Sequence, residues 1–75
     1  MIEQIKAAIH RAAGTKQKLA MFHFQVLTNA DELIGIRPKE FCKEVAVRES
    51  WATEFTQMMD LARLMKEQGA KIISN

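Results

Sequence analysis

Apolar residues at Ile2, Ile5, Ala8, Ile9 and Ala12 recur every three or four positions, the spacing that collects them on one face of a helix. The pattern predicts a first helix near residues 2–13, closed by Gly14 as a left-handed cap. Thr15 is placed to cap the next segment, in which Leu19, Phe22, His23, Val26, Ala30, Leu33 and Ile34 keep the helical period. This second helix, near 15–34, carries Phe24 and Leu27 outside the main stripe, has a potential kink at Thr28-Asn29 and ends at Gly35. Pro38 suits the first turn of a short third helix, near 38–46, with Phe41, Cys42 and Val45 inward. After an interruption at Val47–Ser50, the period resumes from Trp51 through Phe55, Met58, Met59, Ala62 and Met65, giving a fourth helix near 50–68 with Gly69 beyond it. Ile72 and Ile73, in the short segment 70–75, fit either a strand or a return onto the bundle. The expected fold is an all-α, compact four-helix domain with Leu19, Phe22, Val26, Leu33, Phe41, Val45, Phe55 and Leu61 in the core.

With 75 residues the chain has room for one small domain, so residues 1–75 are expected to form one unit. A core of this size buries only about 60% of the unfolded chain's surface, and a homodimer is expected to supply further burial. The one cysteine, Cys42, excludes an internal disulfide, and one Cys with two His excludes a four-ligand structural zinc site. No apolar run reaches membrane-spanning length, and the first residues lack the layout of a signal peptide. A cytoplasmic protein is the expectation. The net charge of +2 is unevenly spread: residues 1–27 carry +3, while residues 28–49 carry −1.

The stretch Pro38–Gln57 has the layout of a helix-turn-helix, in which the second helix enters a DNA groove. Cys42 stands where the helices cross and a small residue is needed, while Val45, Val47 and Phe55 stand where apolar side chains fill the angle between them. Ala46 stands at the turn position where glycine is usually found, a departure from the pattern, so the turn must manage without the residue that takes positive φ most cheaply.

The runs Ala30-Asp31-Glu32-Leu33, Phe41 to Val47, Ser50-Trp51-Ala52-Thr53-Glu54-Phe55 and Leu61-Ala62-Arg63 resemble small bacterial helix-turn-helix-like domain proteins, many of them from mobile elements and prophages. The resemblance covers about half the chain. It implies the fold and, as an expected role, DNA-associated transcription regulation; it supplies no catalytic residue.

On this reading the partner is double-stranded DNA. Arg37, Lys39, Lys43 and Arg48 are the expected phosphate contacts, with help from Lys16 or Lys18. Ser50, Thr53 and Gln57 are the expected base readers, and Glu49 and Glu54 would oppose phosphates. Trp51 suits packing, a thymine methyl or a protein interface. The competing function is a protein-interaction module, a phage- or plasmid-encoded adaptor or inhibitor that presents Trp51 to a protein partner. His10 and His23 have no second ligand at helical spacing, so no metal is expected, and the methionines read as core or interface filling, so no cofactor is expected. The carboxylates lack an accompanying buried base, phosphate loop or nucleophile, so an enzyme is not expected.

Overall fold

A computed structural model describes residues 1–70. Five α-helices follow in order: α1 (Ile2–Arg11), α2 (Lys18–Thr28), α3 (Ala30–Leu33), α4 (Pro38–Glu44) and α5 (Ala52–Glu67). Short 3₁₀ turns, Ala12–Thr15 and Glu49–Trp51, close α1 and lead into α5. The all-α expectation holds. The expected long second helix is divided at Asn29, whose φ of −110° breaks the helical path between α2 and α3. Thr28 and Asn29 cause the break by bonding backward: Thr28 Oγ1 donates to the Phe24 carbonyl at 2.9 Å and Asn29 Nδ2 to the Gln25 carbonyl at 2.8 Å. The segment left open at 70–75 lies beyond the described residues, apart from Ala70.

Two local expectations fail where α1 meets α2. Gly14 is not the left-handed residue; the chain tightens into a 3₁₀ turn through Gly14 and reverses at Lys16, with φ 63° and ψ 17°. Thr15 does not cap α2, because its hydroxyl donates back to the Ala12 carbonyl at 2.8 Å and so closes the first helix. Gln17 precedes α2 without a side-chain cap.

The core is a chain of aromatic contacts that ties α2, α4 and α5 together. Phe22 meets Phe41 edge-on at 5.7 Å between ring centroids, and Phe41 meets Phe55 at 4.7 Å. Each such pair contributes about 0.5–1.5 kcal/mol beyond the area it buries. Ile5 and Ile9 of α1, with Val26, Leu33, Cys42 and Val45, complete the cluster. Leu19 and Leu61, expected inside, are 38% and 39% exposed. Leu61 lies one residue before Ala62, a rotation of about 100° that carries it off the face on which Phe55 and Met59 pack. Leu19 shares the helical stripe of Phe22 and Val26 but sits in the first turn of α2, where it stays exposed.

Helix α5 packs along α2 and α3: Lys18 of α2 lies over Trp51 just before α5, His23 of α2 bonds Glu54 of α5, and Lys66 of α5 pairs with Asp31 of α3 at 3.7 Å. The pairing sets α5 against the core and leaves one of its flanks open.

Candidate nucleic-acid interface

Helix α4 ends in a Schellman arrangement. The Val47 N–H reaches the Cys42 carbonyl at 3.0 Å and the Ala46 N–H reaches the Lys43 carbonyl at 3.2 Å. Such a closure requires a left-handed residue between them, and Ala46 supplies it at φ 58°. The turn therefore has the geometry expected of a glycine, made with alanine. Val47 packs on the core across from the buried Cys42, and Arg48 then enters the extended region at φ −59°, ψ 139°. The Glu49–Trp51 turn follows, with the Trp51 N–H bonded to the Arg48 carbonyl at 3.0 Å, and starts α5.

Cys42, Val45 and Phe55 are all buried, and Ala52 packs against the same cluster, so the positions that set the angle between the helices behave as their spacing requires. Burial, and secondarily the charge of Glu49, push the Cys42 thiol above its ordinary pKa. The thiol is a small packing group at the helix crossing and stays protonated.

The expected contact residues divide into two groups. Arg37, Lys39, Lys43, Arg48, Ser50, Thr53 and Gln57 are exposed, whereas Trp51 is half-buried. Its ring stands edge-on to Phe22 at 5.2 Å, and Lys18 Nζ lies 5.9 Å from its centroid. Arg37, Lys39 and Thr53 come together with Glu40, Ala52 and Thr56 in an open groove of about 540 Å³ between the start of α4 and the first turns of α5. Lys43, Arg48, Ser50 and Gln57 lie outside that groove. Lys39 Nζ is 3.5 Å from the Glu49 carboxylate, which partly neutralises both; each is about three-quarters exposed.

Sequence reasoning missed two features. Thr56 joins Thr53 in the groove, and its signal was the spacing of three residues on one helix face. Glu54 is turned inward and accepts a 2.6 Å hydrogen bond from His23 Nε2, with about a third of each side chain exposed. The carboxylate expected to oppose phosphate is thereby tied to α2. His10 is also engaged, through Nε2 on the Val45 carbonyl at 2.8 Å. No group of side chains suited to a metal ion occurs among the described residues.

A family profile described as an HTH-like domain matches residues 1–68. The chain belongs to the HTH-like domain family. The match takes in α1 to α5 entire, so the family's unit includes the N-terminal pair α1 and α2 as well as the two helices that form the motif. No curated protein and no solved structure gives a significant match. Membership in this helix-turn-helix family suggests a fold for DNA binding. No helix among the described residues is long and apolar enough to cross a membrane.

Proposed function

We propose that this HTH-like domain, residues 1–75 acting as one unit, is a small cytoplasmic DNA-binding transcription regulator that works as a homodimer. One observation carries the reading. The Glu49–Trp51 turn and the first turns of α5 present Ser50, Thr53, Thr56 and Gln57, all exposed and uncharged hydrogen-bonding groups, while Glu54 is held away on His23. Groups of this kind read base edges, and the exposed cations Arg37, Lys43 and Arg48 flank them as phosphate contacts. Lys39 joins them when phosphate displaces Glu49. Paired half-sites on duplex DNA match a two-fold dimer, for which Phe24, Leu61 and Leu64 offer exposed apolar surface. Carriage on a mobile element belongs to the same proposal through the resemblance noted in the sequence. Selection from random duplexes with the purified protein tests it: enrichment of a palindrome supports the reading, and recovery of no preferred sequence opposes it.

One feature favours the competing reading, a protein-interaction module. No Lys or Arg lies between Arg48 and Arg63, although specific DNA binders are usually more basic along the helix that meets DNA. The exposed apolar side chains Leu61 and Leu64 of α5 would then receive a protein, while Trp51, packed on Phe22, would supply only an edge. A stoichiometric partner from a host lysate, together with no retention on heparin, supports this alternative.

A further inference from the structure

The turn between α1 and α2 borders the turn of the helix-turn-helix at both of its ends. On one side His10 Nε2 bonds the Val45 carbonyl at 2.8 Å, which sets the end of α1 on the end of α4. On the other, Lys18 lies over the Trp51 ring, which itself rests on Phe22. Between these anchors the chain carries Arg11, Lys16 and Lys18, and the facing segment carries Lys43 and Arg48. None of the five has a carboxylate within 4.0 Å among the described residues, whereas Lys39, Arg63 and Lys66 each have one. The same two segments contain only two carboxylates, Glu44 and Glu49, and Glu49 is engaged by Lys39. A net positive edge thus runs beside the start of α5, built from parts of the chain nearly thirty positions apart.

The geometry points to the α1–α2 turn as a second DNA-backbone contact: Lys16 and Lys18 take phosphates adjoining those met by Lys43 and Arg48. This rests on the DNA reading above and extends it to a segment outside the helix-turn-helix. Lys16 is exposed and left-handed, at the apex of the turn. Lys18 is held at the mouth of α5 by the Trp51 ring, so ordering it on a phosphate loses little side-chain freedom. The arrangement also accounts for the basic balance of residues 1–27, which lies far from the motif in sequence and beside it in space.

Each phosphate neutralised on B-DNA steepens the dependence of log K on log salt by about 0.9. The test is a salt series of duplex binding by the full chain, for the wild type, Lys16→Gln with Lys18→Gln, Arg48→Gln, and Arg63→Gln as a control at the far end of α5. The expected result is a slope shallower by about 1.8 for the double variant, an equal loss of affinity on preferred and scrambled duplexes, and no change for the control. If the double variant loses its helical circular dichroism, Lys16→Gln alone, at an exposed position, should lower the slope by about 0.9. A wild-type slope retained by the Lys16 and Lys18 variants, while Arg48→Gln lowers it, overturns this inference and leaves the DNA reading standing. A wild type that binds no duplex overturns both.

Discussion

Replacing Ala46 by glycine should stabilise the protein, against the usual rule that glycine weakens a fold. An L-residue in the left-handed region carries about 1–2 kcal/mol of strain from its Cβ against the following carbonyl. Ala46, at φ 58°, bears that strain and is exposed, so removing its methyl opens no cavity. Glycine returns about 0.4–1 kcal/mol to the unfolded chain as added freedom. The mid-points of the two ranges leave a net gain of about 0.8 kcal/mol, since the Schellman hydrogen bonds from Ala46 and Val47 use only the backbone. For a domain of this size, that raises Tm by roughly 3–6 °C. Urea and thermal denaturation followed by circular dichroism measure it, with Ala46→Val as the opposite control, expected to lose about 1–3 kcal/mol because a β-branched residue resists this conformation. A lower Tm for Ala46→Gly, or a neutral Ala46→Val, would refute the argument that the turn is strained at this residue.

Other expectations follow from the packing and the polar contacts. Phe41→Ala should cost about 3–5 kcal/mol and leave little helical signal at room temperature, because Phe41 is fully buried between Phe22 and Phe55 and small domains have little stability in reserve. A double-mutant cycle of His23→Ala and Glu54→Ala should give a coupling of about 1 kcal/mol in urea denaturation, and zero coupling would mean that the pair does not hold α2 to α5 in solution. Cys42 should react with a thiol reagent only at the rate of unfolding, since burial keeps the thiol protonated. Its folded pKa lies above the unfolded one, so the associated stability is fully present below the ordinary thiol pKa and is lost as pH rises through the folded value; Cys42→Ala should flatten that alkaline decline.

The helix-turn-helix was legible because its constraints are local. Cys42, Val45, Val47 and Phe55 must fill one small angle, and spacing alone states which residues do so. Ala46 was legible only as a departure from glycine at the turn; that the alanine itself takes the left-handed conformation, at φ 58°, is visible only in the structure. What escaped the sequence depended on contacts between distant segments. His23 and Glu54 are 31 positions apart, and nothing in either helix's period says that they meet. Leu61 lies off the stripe of Phe55, Met59 and Ala62, and its apolar character alone does not disclose whether the rest of the chain will cover that flank of the helix. Gly14 failed as a cap because helix α1 had a cheaper ending, a 3₁₀ turn closed by the Thr15 hydroxyl, that moved the left-handed residue to Lys16.

Amide chemical-shift mapping on adding duplex DNA decides whether the helix-turn-helix of this chain meets DNA. It is run with the duplex that selection enriches, at about 0.1 mM protein, where even non-specific complexes with a Kd of about 10⁻⁴–10⁻⁶ M are visible. The largest shifts should fall on residues 48–57, with a second cluster at 16–18, while Phe24, Leu61 and Leu64 change only as far as dimerisation requires. Absence of shifts at residues 48–57 with every duplex tried would contradict it, and would assign the helix-turn-helix of this chain to a purpose other than reading DNA.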